Sequence, residues 1–288
     1  MRPLLTIGMA TYDDYDGVYF SLQALRAYHP EVLPFCNFLI VDNNPDSAHG
    51  QAVKAYAERI QAKYVPFTDW TGTTVKDQVF QNADSDFVLC MDCHVLFPPG
   101  ALQYLVSYLR FADCQKELLQ GPLIDDNFKI SATHQDPVWR GDMWGTWAID
   151  KALTDPRAKP TEIPQQGTGV FVCSKDFWPG FNPRFRGFGG EEGYIHTKTR
   201  QRGGVVKYLP GLAWMHRFHR PSGVPYKILR EDKCRNYLIG FDELGLSLDP
   251  VIEHFTESMG ASKVEKILQE LNLRTPTASP QVHSYVLV

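Results

Sequence analysis

The 288-residue sequence lacks the features that mark membrane, secreted and repetitive proteins. No apolar run approaches the ~18 residues of a membrane-spanning helix. The amino-terminal segment turns polar after Ala10, which is not typical of a signal peptide. Internal repeats and low-complexity segments are also absent. These absences predict a soluble, cytoplasmic globular protein without a membrane span.

Cysteine is sparse and irregularly placed. The six cysteines lie mostly within apolar stretches, without the spacing of a disulfide framework. We therefore expect reduced, buried thiols. Cys90 and Cys93 form a lone C-x-x-C pair, which is a weak zinc signal without a second pair.

The charge is small overall and uneven along the chain. The formal net charge of −4 predicts no general attraction to nucleic acid or to an anionic membrane. Residues 184–235, however, contain twelve Lys or Arg and four Asp or Glu, a local charge of +8. Such a segment suits an anionic ligand, such as a diphosphate or a nucleic-acid backbone. The alternative is a set of solvated helix faces.

Short apolar runs alternate with helical patterns in the first half of the chain. This alternation predicts an α/β fold with a mostly parallel central sheet flanked by helices. The predicted strands are Leu4–Ala10, Phe38–Val41, Tyr64–Phe67 (confined to an edge by Pro66) and Phe87–Met91. The predicted helices are Val18–Tyr28, Ala48–Ile60, Thr73–Asn82 and Gly100–Phe111.

The second half is less regular. Residues 121–166 are rich in Trp, Pro and Asp, and predict a long loop with a short hairpin around Phe128–Ala132. Its tryptophans either enter the core or stack against a ligand; they are Trp139, Trp144 and Trp147. Further elements are predicted at Gly169–Cys173 (strand), Glu191–Gln201 (helix), Val205–Leu209 (strand) and Ser262–Leu273 (helix). We predict a main domain over 1–245 and a small helical C-terminal extension with a tail over 246–288.

Polar clusters follow three of the predicted strands. They are Thr11-Tyr12-Asp13, Asp42-Asn43 and Asp92-Cys93-His94. Ligands of open α/β sheets bind at the carboxyl ends of the strands. In an extended stretch Asp92 and His94 point to the same side, so they can grip one ion. A carboxylate and an imidazole suit Mn²⁺ or a similar divalent ion that also binds phosphate oxygens.

The order of these motifs resembles glycosyltransferases with the GT-A fold. Asp92-Cys93-His94 is similar to their Asp-x-Asp or Asp-x-His motif, and Ile7–Tyr12 and Leu39–Asn43 resemble the first two strands of the family 2 enzymes. The resemblance implies that residues 1–120 bind the nucleotide-sugar. It also implies that Thr11, Tyr12, Asp13 and Asp42 hold the nucleoside and that Lys76 approaches the pyrophosphate.

The later motifs resemble polypeptide N-acetylgalactosaminyltransferases and β-1,4-galactosyltransferases. They are Gly169–Phe177, Phe188-Gly189-Gly190-Glu191-Glu192, Gln201–Gly204 and Trp214–Phe218. The resemblance implies an acceptor-side half over 121–245, with Gly189 and Gly190 at the donor. It also implies His216 as the third metal ligand, with His219 as the alternative. Phe188 replaces the Trp of those families.

The resemblance implies a metal-dependent glycosyltransferase that moves a sugar from a nucleoside-diphosphate sugar, UDP first, to an acceptor hydroxyl. The implied cofactor is Mn²⁺, with Mg²⁺ as the alternative. Glu192 matches the position of the general base, and Glu191 that of a residue binding sugar hydroxyls. Alternatively, one of these glutamates only charges the first turn of a helix. Inversion and retention both stay open.

Other functions compete with this interpretation. The basic segment suggests a modified DNA base as acceptor, beside saccharide or protein acceptors. Two histidines and a carboxylate also ligate iron in oxygenases, but those enzymes typically have a His-x-Asp motif on a jelly roll. An inactive sugar-nucleotide-binding module is the non-enzymatic alternative. The oligomeric state is left open by the sequence.

Overall fold

The computed structural model describes residues 2–220 and 223–273. The strands are β1 (Leu5–Thr11), β2 (Cys36–Asp42), β3 (Lys63–Pro66), β4 (Phe87–Asp92), β5 (Val95–Leu96), β6 (Glu117–Gln120), β7 (Leu123–Ile124), β8 (Ile130–Ala132), β9 (His134–Arg140), β10 (Met143–Ala148), β11 (Thr161–Glu162), β12 (Val170–Ser174), β13 (Val205–Tyr208) and β14 (Trp214–His216). The helices are α1 (Tyr15–Tyr28), α2 (Ala48–Ile60), α3 (Asp77–Asn82), α4 (Ala101–Phe111), α5 (Glu192–Gln201), α6 (Arg230–Glu243), α7 (Asp249–Met259) and α8 (Ala261–Leu271).

The central sheet has eight strands in the order β11-β13-β6-β12-β4-β1-β2-β3. Strands β3, β2, β1 and β4 are parallel neighbours, whereas β12 is antiparallel to both β4 and β6. A second sheet, β5-β14-β7-β8, joins the end of β4 to the later part of the chain. The α/β fold with a mostly parallel sheet flanked by helices is therefore confirmed.

The predicted elements of the first half are present, with small shifts at their ends. Helices α1 and α2 begin where side-chain oxygens of Asp14 and Ser47 accept hydrogen bonds from the backbone N–H groups of Gly17 and Gly50. The helix predicted at Thr73–Asn82 is instead a 3₁₀ turn followed by α3. Strand β3 lies at the edge of the sheet, as Pro66 requires.

Two hydrophobic cores cover the two faces of the sheet. Side chains alternate along β1, so that Leu5, Ile7 and Met9 pack on the α1 and α4 side. On the other face Gly8 lies under α3, where an added Cβ would come 2.2 Å from Cγ1 of Val79. This close approach brings α3, and the 3₁₀ turn before it, down onto β1.

The second half differs most from the sequence prediction. Hairpin β7–β8 covers the predicted hairpin, but β9–β10 and helices α6 and α7 were missed. Trp139 and Trp144 of β9–β10 pack against the core together with Tyr237. Helices α6–α8 bury apolar side chains in the same core, so the C-terminal helices are packed on the sheet. The end of the predicted tail lies outside the described residues.

Two further expectations concern the thiols and the membrane. All six cysteines are free, and five of them are buried. Cys90 and Cys93 belong to the cores on opposite faces of the sheet, so this C-x-x-C does not form one site. Within residues 2–220 and 223–273, no helix is both long and apolar enough to cross a membrane.

We expect Gly8→Ala to lower the free energy of unfolding by about 1–3 kcal/mol, because the new methyl group overlaps Val79. Urea denaturation measures this change. Val79→Ala removes the overlapping Cγ1, so the double variant should lose less than the sum of the two single variants. Additive losses would contradict this account of the α3–β1 contact.

Candidate active site

A cavity of about 310 Å³ opens at the carboxyl ends of β1 and β4. Its base is formed by these strand ends and by Thr168, and its walls by the segments around Thr71–Thr73 and Phe188. Residues after β14 complete the rim. Predicted site residues that line it are Thr11, Tyr12, Lys76, Asp92, His94, Glu191, Glu192 and His216.

Three side chains converge on one point of the cavity. The Nε2 atoms of His94 and His216 are 3.0 Å apart, and the His216 Nε2 lies 3.2 Å from Oδ2 of Asp92. The ligand atoms of all three lie within 4.8 Å of one another. Strand β14 brings His216 here because it pairs with β5, directly after His94. Two imidazoles and a carboxylate fit a divalent ion such as Mn²⁺. His219 is exposed and outside this group.

Asp14 orients the His94 ring. Its Oδ2 lies 3.0 Å from Nδ1 of His94, so Nδ1–H donates to the carboxylate and Nε2 carries the lone pair, which accepts a hydrogen bond from Nη2 of Arg220 at 2.6 Å. Burial lowers the pKa of His94, which keeps the ring neutral. Burial raises the pKa of Asp14, but His94, the backbone N–H of Gly17 and the charge of Arg220 together outweigh burial, and the pKa falls to about 2. The ring is therefore held in the tautomer that binds a metal.

Lys76 pairs with Asp92. The Nζ of this buried lysine lies 2.8 Å from Oδ1 of Asp92 and donates to the backbone oxygen of Thr168 at 2.8 Å. Burial would raise the pKa of Asp92, but the ammonium of Lys76 and then His216 hold it well below its usual range. Burial would likewise lower the pKa of Lys76, and Asp92 raises it instead. Both groups are therefore ionised at neutral pH.

Glu191 and Glu192 stand at the start of α5, on another wall of the cavity. Glu191 is 2% exposed, and its Oε2 has no hydrogen-bond partner within the described residues. Burial raises the pKa of both carboxyl groups, and Glu191 raises that of Glu192 further. A carboxylate with a raised pKa is a better proton acceptor than an ordinary glutamate.

Four predicted site residues do not reach the cavity. Asp13 has a φ of 51° and accepts a hydrogen bond from Asn44, away from the site. Asp42 is buried between the hydroxyl of Tyr64 and the backbone of Asn44. Gly189 and Gly190 lie against α6 instead. At Gly190, φ is 92° and an added Cβ would come 2.8 Å from Asn236.

Several residues that line the cavity were not assigned to the site from the sequence. Asn43 and Asp14 follow β2 and β1, next to residues that were predicted. Trp147 stands on the hairpin β9–β10, so one of the three tryptophans whose role was open lines the cavity. Tyr226 follows β14, and its ring lies 6.1 Å from that of Tyr12 and 6.4 Å from that of Phe188.

The basic segment 184–235 does not form one strip. Arg220 reaches the site, where its Nη2 lies 2.6 Å from Nε2 of His94, and Lys227 lines the cavity. Other members are paired with acidic side chains, namely Lys198 with Glu243, Lys207 with Glu117, Arg217 with Asp14, Arg230 with Asp142 and Arg235 with Glu270. The local charge is therefore largely neutralised by neighbours in space.

The family follows from comparison with known proteins. Residues 6–178, more than half of the chain, match the model of "Glycosyl transferase family 2". The chain therefore belongs to glycosyl transferase family 2. A sequence comparison with curated proteins gave no match.

Solved structures share the fold. A structure of GalNAc-T7 with UDP, GalNAc and Mn²⁺ superposes with a TM-score of 0.67 at 14% identity, covering 94% of this chain and 55% of that one. This chain thus spans about half the length of GalNAc-T7. The mannosyltransferase PcManGT from Pyrobaculum calidifontis, with GDP-Man and Mn²⁺, gives 0.56 at 14% identity over 96% and 77% of the two chains. S. aureus TarS residues 1–349 with UDP-GlcNAc give 0.55 at 11% identity over 93% and 71%. The GT-A fold is thereby confirmed.

We expect His216→Ala to weaken Mn²⁺ binding by about tenfold or more, because it removes one of three converging ligand atoms. The electron paramagnetic resonance signal of free Mn²⁺ measures the bound fraction. The matched control is His219→Ala, which should bind Mn²⁺ like the unmodified protein. If His219→Ala weakens Mn²⁺ binding and His216→Ala does not, the third ligand is His219.

Proposed function

We propose that this protein is a metal-dependent glycosyltransferase that moves a sugar from a nucleoside-diphosphate sugar to an acceptor hydroxyl. The observation that carries the proposal is the convergence of Asp92, His94 and His216 in one cavity with the glutamate pair. Family membership supports the reaction class. The UDP, GDP-Man and Mn²⁺ of the structural neighbours support the donor and the cofactor.

The leaving diphosphate would lie against the cationic side of the cavity. When bound by Asp92, His94 and His216, Mn²⁺ supplies positive charge that stabilises the departing diphosphate. Arg220 presents its guanidinium to the same place and adds a charge-assisted donor for phosphate oxygens. Lys76 keeps Asp92 ionised, so its role is to position and charge a ligand rather than to contact the substrate.

Glu192 is the proposed general base. It is more open to the cavity than Glu191 and can accept the proton of the acceptor hydroxyl. Glu191, whose Oε2 has no partner within the described residues, is placed to accept a hydrogen bond from a sugar hydroxyl. A base acting directly on the acceptor implies inversion at the anomeric carbon.

The surroundings favour an acceptor with an apolar or sugar-ring face. Trp147, Phe188, Phe218 and Tyr226 line the cavity, and aromatic rings stack well against such faces. A modified DNA base is less favoured, because five basic residues of segment 184–235 are paired with acids. The iron oxygenase alternative is excluded by the family and the fold. The presence of the three candidate ligands and both glutamates in one cavity favours an enzyme over an inactive binding module.

We expect Glu192→Gln to lower turnover by about 10²–10⁴-fold while donor binding is retained, because only proton acceptance is lost. The assay measures release of nucleoside diphosphate from UDP- and GDP-sugars with Mn²⁺, first with water and then with a panel of acceptors. Glu191→Gln is the matched comparison, and we expect it to raise KM for the donor more than it lowers kcat. If Glu191→Gln instead causes the larger loss of kcat and Glu192→Gln the larger rise in KM for the donor, Glu191 is the base and Glu192 binds the sugar.

We also expect a pH dependence set by Glu192. Its carboxyl group must be ionised to accept a proton, and its pKa is raised above the ordinary 4.5 by burial and by Glu191. The value of kcat should therefore fall with acidification well above pH 4.5. Saturation with Mn²⁺ is checked at each pH, so that a fall in kcat is not caused by loss of the metal when the histidines are protonated. A flat kcat between pH 5 and pH 8 would contradict this role of Glu192.

A further inference from the structure

A second cluster of metal-ligating side chains lies beside the proposed Mn²⁺ site of Asp92, His94 and His216. This thiol cluster consists of Asp14, Cys93 and His94, whose ligand atoms lie within 4.8 Å of one another. The Cys93 Sγ is 3.5 Å from Oδ2 of Asp14 and 3.5 Å from Nδ1 of His94, and these last two atoms are 3.0 Å apart. All three residues line the cavity. His94 therefore belongs to both groups, with Nδ1 in the thiol cluster and Nε2 in the Mn²⁺ site.

Helix α1 holds the thiol cluster in place. Asp14 caps this helix with Oδ1, which accepts from the backbone N–H of Gly17 at 3.0 Å, so that Oδ2 is left for the cluster. The hydroxyl of Ser21 donates to the backbone oxygen of Cys93 at 3.0 Å and accepts from the backbone N–H of Val95 at 3.1 Å. The same helix therefore fixes the carboxylate and the turn that carries the thiol.

The spacing of the three ligand atoms fits a tetrahedral zinc ion. With bonds of about 2.3 Å to sulfur and about 2.1 Å to nitrogen and oxygen, such an ion separates its ligand atoms by about 3.4–3.6 Å. The two distances from the sulfur of Cys93 already have this length. The distance between Asp14 and His94 is that of a hydrogen bond, and it lengthens by about 0.4 Å when an ion replaces the proton. The side facing the cavity leaves the fourth position to water.

The donor set distinguishes the thiol cluster from the Mn²⁺ site. A thiolate, an imidazole and one carboxylate suit Zn²⁺, whereas a thiolate is a poor ligand for the harder Mn²⁺. Burial raises the pKa of the Cys93 thiol well above its usual value, so the thiol keeps its proton until an ion displaces it. Binding of zinc therefore releases this proton to solvent, whereas the carboxyl group of Asp14 is already ionised.

We infer that Asp14, Cys93 and His94 form a zinc site that competes with Mn²⁺ for His94. A neutral imidazole has a single lone pair for a metal. Zinc at Nδ1 therefore moves the proton of His94 to Nε2, the nitrogen that faces His216. The Mn²⁺ site loses one of its three ligand atoms while zinc is bound. The zinc site is argued from these contacts, and its inhibition of sugar transfer rests on the proposed function.

Cobalt tests the zinc site, because Co²⁺ takes the same ligands as Zn²⁺ and absorbs light. Titration of the whole chain with Co²⁺ should produce the near-ultraviolet charge-transfer band of a cobalt–thiolate bond, and Cys93→Ser should lose this band. Cys36→Ser is the matched control, because this partly buried thiol starts β2 at the end away from the cavity, and the band should persist. No band in the unmodified chain, or a band that survives Cys93→Ser, would overturn the inference.

X-ray absorption provides a second test if Cys93→Ser does not fold. In the unmodified chain loaded with zinc, one sulfur should lie at about 2.3 Å among the atoms bound to the ion. Nitrogen and oxygen atoms alone around the zinc would contradict the assignment of Cys93.

Competition between the two ions tests the shared use of His94. The electron paramagnetic resonance signal of free Mn²⁺ measures its release as Zn²⁺ is added. The zinc concentration that releases half of the Mn²⁺ should rise about tenfold or more in Cys93→Ser, because zinc has lost a ligand. Equal concentrations in both proteins would show that zinc displaces Mn²⁺ directly from its own site, and the inferred competition would be wrong. If the unmodified chain binds no Mn²⁺, the proposed function fails and the cobalt titration still decides the zinc site.

Discussion

The ion pair between Asp92, at the end of β4, and the buried Lys76 is the interaction on which the rest of the site depends. A buried ammonium needs a partner, and the partly buried carboxylate of Asp92 supplies it at 2.8 Å. Lys76 is in turn fixed by the oxygen of Thr168, so the start of α3 and the segment before β12 are tied to the same point. Asp92, its counter-charge Lys76 and the backbone of Thr168 at the base of the cavity therefore form one connected unit.

The helical C-terminal region supports the other wall of the cavity. The turn that precedes Glu191 contains two glycines with positive φ, and Asn236 of α6 donates to the backbone oxygens of Arg186 and Gly189. Tyr237, the next residue of α6, accepts a hydrogen bond from the backbone of Trp144. Helix α6 therefore fastens both the glutamate turn and the hairpin β9–β10. This helix is thus part of the support that positions the two acids.

The match to family 2 covers only part of the candidate site. Residues 6–178 contain Asp92 and His94, whereas the glutamate pair and His216 lie beyond the match. One part of the cavity is built from the ends of β1 and β4, whose positions are fixed by the sheet. The part with Trp147 and Phe188 is built from a hairpin and a loop, which can change without disturbing the sheet.

The sequence by itself determined the alternation of strands and helices in the first half, since buried parallel strands leave continuous apolar runs such as Phe87–Met91. It also pointed to Asp92, His94, the glutamate pair and His216, with His219 as the alternative, because these lie in motifs that resemble known transferases. Helix α6 escaped prediction because it carries charged and polar residues among its buried ones. Only the tertiary structure showed which of the two later histidines lies beside His94, because His216 follows His94 by 122 residues and reaches it through strand pairing. It also showed that Asn43, and not Asp42, lines the cavity. Local periodicity encodes neither the pairing of distant strands nor the direction of a side chain after a strand ends.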